Sequence, residues 1–316
     1  MTENAATDVR RRVAFLGPEG TFTEQALLSQ ADLASQELVA MSTFAEVLAA
    51  VGRRDVDLGF VAVENSIEGT VNVTLDALAL EHDLLIEREV VLGIQLSLMA
   101  PPGVALSDVR RVLTFPVAAG QCRQWMAREM PGVEVVAANS NAEAARLVAE
   151  SADGSSAAVA PSLAAKIYGL DVLATDIEDH PENATRFLLV GHGPVPAPTG
   201  HDKTTIVVFQ RSDRAGSLLA ILQEFAARSI NLVKLESRPT KKALGDYCFV
   251  IDFEGHLAEP VVADCLRDLR TKVADIKYLG SYPAAGAKSA GRRRDAEAAW
   301  QQADAWLKAQ QAHLAR

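Results

Sequence analysis

Residues 13–24 read Val-Ala-Phe-Leu-Gly-Pro-Glu-Gly-Thr-Phe-Thr-Glu. Val13 to Gly17 read as a strand, and Pro18 and Gly20 stop any regular element after it. Thr21 stands three residues before Glu24. In that spacing a hydroxyl caps an orphan helical amide while the carboxylate reaches back. The stretch predicts strand, tight turn, then a helix over residues 22–30. The same start signal recurs at Thr43 with Glu46 and at Ser140 with Glu143, each after a short apolar run, residues 37–40 and 133–137. Further strands are expected at 58–63, 112–114, 157–160 and 187–190. Further helices are expected at 44–53, 71–80, 119–129, 142–150 and 161–168. Such alternation predicts an α/β domain with helices covering largely parallel sheets.

Residues 191–200, GHGPVPAPTG, hold three prolines and three glycines, and neither a helix nor a central strand survives that density. This is read as a linker. Beyond it the order becomes strand 204–209, helix 216–229, strands 231–237 and 246–254, helix 260–271 and strand 274–278, the ferredoxin-like βαββαβ order. Such a module is either a structural or dimerising unit or a ligand sensor. A small, Gly-containing break at 284–291 and the basic run Arg292–Arg294 lead to an Ala- and Gln-rich tail. There Trp300, Ala303, Leu307 and Leu314 fall near helical spacing. The expected organisation is therefore a domain over 10–192, a linker over 193–202, a second domain over 203–283, and a linker with helical tail over 284–316.

The chain has 316 residues, 49% apolar and 23% charged, with a net charge of −10. That composition is globular, and the acidic balance argues against nucleic-acid binding. Cys122, Cys248 and Cys265 are too few and scattered for a disulfide framework. The polar start carries no apolar signal-peptide run. The apolar stretch 90–100 is broken by Gln95, stopped by Pro101 and Pro102, and too short to span a membrane. The expectation is a soluble cytoplasmic protein with no nucleic-acid or membrane partner.

Four segments could carry chemistry. In Gly17-Pro18-Glu19-Gly20-Thr21-Phe22-Thr23, backbone amides at a helix start, with Thr21, suit an anion, although a capped turn explains the same residues. In Val63-Glu64-Asn65-Ser66-Ile67-Glu68-Gly69-Thr70-Val71, a strand ends in neutral donors and acceptors where α/β folds place ligands, and Gly69 opens space. A well-bonded turn is the alternative. In Asn183-Ala184-Thr185-Arg186-Phe187, Arg186 offers a planar fork for a carboxylate and Thr185 a hydroxyl. Arg186 reads equally as a salt-bridged arginine. Gln121 either points an amide into a cleft or is an exposed helical glutamine, and Cys122 reads as packed rather than nucleophilic. The six histidines are scattered and no HExxH, CxxC or GxSxG pattern occurs, so neither a metal site nor triad chemistry is expected.

Taken in order, GPEGTFT, VENSIEGTV and NATRF, followed by a βαββαβ module carrying Ala215-Gly216-Ser217-Leu218 and Glu236-Ser237-Arg238-Pro239, closely resemble the monofunctional bacterial prephenate dehydratases with a C-terminal ACT regulatory domain. The resemblance covers about residues 12–283. It implies a two-lobed catalytic domain similar to type II periplasmic binding proteins. The implied activity is a carbon–oxygen lyase reaction, prephenate to phenylpyruvate, water and carbon dioxide, in phenylalanine biosynthesis. No cofactor is implied, because aromatisation drives the reaction. Thr185 matches the essential threonine of the TRF motif and is assigned the hydrogen bond to the departing hydroxyl. Asn65, Ser66 and Gln121 match polar site positions that orient substrate and stabilise developing charge. Arg186 would pair with a carboxylate, Glu64 would orient its neighbours, and Phe187 would form an apolar wall. Thr21, Gly69 and Thr70 join the substrate-binding set. The resemblance places L-phenylalanine, the allosteric inhibitor, between Ala215-Gly216-Ser217-Leu218 and Glu236-Ser237-Arg238-Pro239 at a subunit interface of a homodimer or homotetramer.

The chain departs from many relatives at Ala62 (for Pro), at Phe115 (for His) and at Ser217 (for the alanine of the GAL motif). Phe115 argues against an obligatory histidine acid at the cleft rim, and Ser217 leaves the strength of inhibition open. Arogenate dehydratase is the rival within enzymes. A non-catalytic amino-acid sensor is the rival from another class, and it does not account for Thr185, Asn65 and Gln121 occurring together.

Overall fold

The computed structural model describes residues 10–151, 154–211, 214–286 and 291–312. The polar start, residues 1–9, and Leu314 of the expected tail face lie outside them. The chain forms two compact units, one of Met1–Leu75 with Val90–Val190, the other of Asp76–Glu89 with Gly191–Arg316.

The first unit is built on two sheets. One has the order Glu37–Met41, Arg12–Leu16, Leu58–Asn65, Ala184–Gly191, Leu85–Gly93, with Gly69–Thr70 added to Leu58–Asn65; of Leu85–Gly93, residues 90–93 fall in this unit. Its first three strands are parallel, with Val13 opposite both Leu38 and Leu58. The other has the order Asp171–Ala174, Ser97–Ala100, Ser156–Ala160, Arg111–Thr114, Glu134–Ala137. Here the expectation of largely parallel sheets needs correction. The last three strands are parallel, but Ser97–Ala100 and Asp171–Ala174 are antiparallel additions. The chain enters this lobe on Ser97–Ala100, three residues after Leu85–Gly93 and with no crossover helix, and so pairs antiparallel. It leaves on Asp171–Ala174, which follows the helix Ser162–Tyr168 and adds to the sheet edge beside Ser97–Ala100. Each lobe has its own core, around Phe15, Phe60 and Leu27 in the first and Leu98, Val112 and Val159 in the second.

All three start signals form as caps. Glu24 N donates to Thr21 Oγ1 (3.2 Å), Glu46 N to Thr43 Oγ1 (3.0 Å) and Glu143 N to Ser140 Oγ (3.0 Å). Each carboxylate accepts from the amide one residue ahead of the cap, at Gly20, Ser42 and Asn139. The helix expected over 119–129 is two helices, Pro116–Gln121 and Arg123–Glu129, broken at Cys122. The carboxylate of Asp179 accepts from Gln124 N (3.0 Å) and Trp125 N (3.3 Å) and so starts the second.

The second unit carries a four-stranded sheet in the order Leu232–Pro239, Tyr247–Glu254, Asp202–Phe209, Asp275–Pro283, with helices Ser217–Ala226 and Pro260–Lys272. This is the βαββαβ order, with Phe225 and Phe253 packed 5.2 Å apart in its core. Residues 76–89 are grouped with this unit. Lys277 Nζ donates to Leu78 O (2.8 Å) and His82 O (2.6 Å) at the end of the π-helical turn Ala77–Glu81. A Cβ at Gly280 would meet Ile86 O at 2.7 Å, and its φ of +134° already requires glycine. Lys203 Nζ pairs with the buried Glu89 at 2.9 Å. The tail helix runs Gly291–Gln311 and takes in the basic run Arg292–Arg294, and Trp300 packs on the core of this unit.

Arg238 Nε donates to Asp76 Oδ1 at 2.7 Å, and Lys241 lies 3.4 Å from Asp76 Oδ2. Burial pushes the Asp76 carboxyl up, but the hydrogen bond and charge of Arg238, with Lys241, outweigh it and leave it below its ordinary 3.8. A depressed carboxyl stabilises the fold above the unfolded value and loses that contribution as pH falls through the folded one. Urea unfolding followed between about pH 5 and pH 2 should therefore show an acid loss of stability that Asp76→Asn reduces. An unchanged pH slope in that variant would show the pair to be energetically neutral.

Candidate active site

The chain crosses between the lobes of the first unit at residues 94–96 and 175–183. The two crossings are tied together, Ile94 N donating to Asn183 O (2.8 Å), Ile177 N to Leu96 O (3.1 Å) and Leu96 N to Glu178 Oε2 (2.8 Å). The segment 183–187 ends the second crossing. The segment 63–71 is not itself a crossing. It ends the strand Leu58–Asn65 in a short hairpin, with Asn65 opposite Gly69 and Glu64 opposite Thr70, and this hairpin lies against residues 183–185. Ser66 makes the clamp: its N donates to Ala184 O (2.9 Å) and its Oγ accepts from Ala184 N (3.0 Å).

Asn65 organises what lies between. Its Oδ1 accepts from Ile67 N and Glu68 N, both at 3.0 Å, so the turn fixes which end of the amide is oxygen. Its Nδ2 donates to Thr185 Oγ1 and to Asn183 Oδ1, each at 2.9 Å, with Ala184 O at 3.3 Å. Asn183 Nδ2 faces Gln121 Oε1 at 3.3 Å, and Ser66 Oγ donates to Asn183 Oδ1 at 3.3 Å. Thr185, Asn65, Ser66 and Gln121, four residues singled out from sequence, thus share one network. Asn183, 1% exposed, joins them. It stood in the NATRF segment without a role, because a buried asparagine has no sequence mark that separates it from a turn residue.

Arg186 Nη1 lies 3.6 Å from Glu64 Oε2, its side chain largely buried, so any substrate carboxylate would share this cation with Glu64. Gly69 has a φ of +81° and open space where a Cβ would stand, so backbone conformation alone calls for glycine. Thr21 Oγ1 donates to Leu16 O (3.0 Å) while capping Glu24 N, so its hydrogen is already placed within the protein. Its segment forms a seam between the lobes. A Cβ at Gly20 would meet Ala164 Cα at 3.1 Å, Tyr168 Oη donates to Glu19 O (2.7 Å), and Phe22 packs on the core of the second lobe. Phe187 corrects the expectation of an apolar wall. It is 1% exposed, stacked on Phe60 at 5.3 Å within the core of the first lobe, because strand alternation turns it to the face opposite Arg186. Phe115 is part-exposed and donates its N–H to Asn141 Oδ1. Burial, with Asp179 and Glu178 nearby, pushes the Cys122 thiol up to about 12, which keeps it a neutral packed group. Among the described residues, no cluster of three or more His, Cys, Asp or Glu could hold a metal ion, and no helix is long and apolar enough to cross a membrane.

Residues 13–195 match the family described as prephenate dehydratase and residues 204–271 match the ACT domain. The chain belongs to the prephenate dehydratase family. A prephenate dehydratase of Mycolicibacterium vanbaalenii is 45% identical over 285 residues, 86% of this chain and 90% of that protein. The structure of the Arthrobacter aurescens prephenate dehydratase in complex with L-Phe is 40% identical, with a TM-score of 0.84 over 94% of this chain and 98% of that one. A structure named as GqqA, a novel type of quorum quenching acylase, is 30% identical, with a TM-score of 0.78 over 87% and 98% of the two chains. The enzyme is thus a lyase of the dehydratase type with an ACT domain at its C-terminal end.

Proposed function

We propose that the chain converts prephenate to phenylpyruvate, water and carbon dioxide at the Thr185–Asn65–Gln121 cluster. The bond from the ring to its carboxylate breaks and its electron pair enters the ring. The ring carbon–oxygen bond breaks at the opposite end, the departing oxygen takes that pair, and a proton completes water. One observation carries the assignment of roles. Thr185 Oγ1 accepts the Asn65 Nδ2 hydrogen, and no described residue accepts the hydrogen of Thr185. That hydrogen is left for the departing oxygen, while the Asn65 donor stabilises charge gathering on Oγ1 as the proton moves. Gln121 supplies a further neutral donor, and Arg186, shared with Glu64, faces a carboxylate.

The same geometry argues against acyl transfer of the kind named for the acylase relative. A nucleophilic hydroxyl needs a base in hydrogen-bond reach, and the partner of Thr185 Oγ1 is an amide nitrogen without a lone pair to offer. The deciding assay follows phenylpyruvate formation by the purified chain from prephenate and compares kcat/KM with that on arogenate. Preference for arogenate would move the assignment within the family, and no product from either would support the sensor reading.

L-phenylalanine is the effector in this reading, held by Ala215-Gly216-Ser217-Leu218 and Glu236-Ser237-Arg238-Pro239. The edge strand Leu232–Pro239 exposes Val233 and Leu235, which supports a second copy beside it in a homodimer or homotetramer. Gly216 has a φ of +85° with no atom near its missing Cβ. Valine relieves about 1–2 kcal/mol of strain by leaving that conformation, and re-forming it around the effector costs the same amount, so Gly216→Val should raise the inhibition constant for L-phenylalanine about tenfold and leave uninhibited turnover near wild type. Unchanged inhibition would place the effector elsewhere.

A further inference from the structure

The amide of Asn183 is nearly inaccessible to solvent, yet all its polar atoms are used by site residues. Its Oδ1 accepts from Asn65 Nδ2 (2.9 Å) and Ser66 Oγ (3.3 Å), and its Nδ2 donates to Gln121 Oε1 (3.3 Å). The direction of these bonds is inherited. Main-chain N–H groups of Ile67 and Glu68 require the Asn65 oxygen, so Asn65 must offer its NH2 to Asn183. Asn183 must then meet it with oxygen, which turns its own NH2 toward Gln121. Gln121 must answer with Oε1, and its NH2 is the end left over. Asn183 also closes the crossing between the lobes, through Asn183 O accepting from Ile94 N at 2.8 Å. It therefore links the hairpin of the first lobe to a helix end of the second.

We propose that Asn183 is a positioning residue for the dehydration, fixing the sense of the Gln121 amide so that Gln121 presents donors, and not its carbonyl, to the dianionic substrate. The proposal rests on the dehydratase reading. It assigns Asn183 no contact with substrate.

Asn183→Asp tests this, because a carboxyl keeps the oxygen that Asn65 and Ser66 bond and changes only the group facing Gln121. When ionised, it accepts from Gln121, whose amide turns over and aims its carbonyl at the substrate. When protonated, its O–H donates to Gln121 Oε1 as the asparagine did. Burial holds such a carboxyl above its ordinary range, so the restoring form is present at mildly acidic pH. We expect kcat/KM for prephenate to fall about 10²-fold at about pH 8. Relative to wild type, it should recover about tenfold by about pH 5 as the carboxyl regains its hydrogen. In a Gln121→Ala background the variant should cost less than about threefold, and the pH step should vanish, since coupled residues are non-additive.

Asn183→Ala, which adds no charge, is the second variant. It should lose about 10–100-fold alone and less than about threefold with Gln121→Ala. Circular dichroism at each pH confirms that every variant compared is folded. Near-wild-type activity in folded Asn183 variants would overturn the proposal. Equal losses, or the same pH step, with and without Gln121 would overturn it too, since the effect would then be simple charge repulsion or a looser fold. A wild-type chain that forms no phenylpyruvate would remove the dehydratase reading and this proposal with it, whereas an active wild type with insensitive variants removes this proposal alone.

Discussion

Thr185→Ala is expected to lower kcat on prephenate by about 10²–10⁴-fold, the scale of losing a proton-transfer group, with a smaller change in KM. The side chain lies at the start of the strand Ala184–Gly191 and makes one side-chain hydrogen bond, from Asn65. Its removal leaves that strand's backbone pairing in place, so the thermal midpoint should shift little. Asn65 also keeps its bonds to Asn183 and to the turn amides. Thr185→Ser, which keeps the hydroxyl, should retain most of the lost rate and so separate the hydroxyl from mere packing. Single-turnover measurement of phenylpyruvate absorbance reads the chemical step directly. A rate for Thr185→Ala near wild type would remove the hydroxyl from the reaction, whatever the resemblance implies.

Phe187→Ala should act in the opposite way, on stability and not on KM. A buried phenylalanine cut back to alanine costs about 3–5 kcal/mol through lost transfer energy and the cavity left behind. Here the ring stacks on Phe60 with an interplanar angle of 10° and sits among Val13, Phe15, Leu58 and Leu189. That loss is a large part of a typical stability of about 5–15 kcal/mol, and urea titration should show it. Below the transition, KM for prephenate should stay near wild type, because the ring faces away from Arg186 and into the core. A raised KM with little loss of stability would return Phe187 to the cleft.

Much of the fold is legible in local chemistry. The three Ser/Thr-x-x-Glu signals form as caps because a cap needs only four consecutive residues. The βαββαβ order past the proline-rich linker follows from apolar runs and helical spacing alone. The strands Leu85–Gly93, Ser97–Ala100 and Asp171–Ala174 escape such reading. The first two lie in or beside one long apolar stretch, whose strand breaks have no period of their own, and the third is short and part-exposed. The helix break at Cys122 is set by Asp179, more than 50 residues away in sequence, so no local pattern shows it. Phe187 looks like a cleft residue because it adjoins Arg186. Only the pairing of its strand says which face each of the two occupies.

Residue types and their spacing were enough to establish the two domain classes, the helix starts, the family and four members of the candidate site. These depend on interactions within a few residues or on motifs that survive as strings. The fold alone brought Asn65, Asn183 and Gln121 into one bonded row, gave residues 76–89 to the second unit, and carried the sense of the Asn65 amide on to Asn183 and Gln121. A side-chain amide can donate or accept from either end. For Asn65 the adjacent turn amides decide which end it uses, but for Asn183 and Gln121 partners 62 to 118 residues away decide it, and Thr185 meets Asn65 across 120 residues, so the proton available at Thr185 is a property of the assembled site.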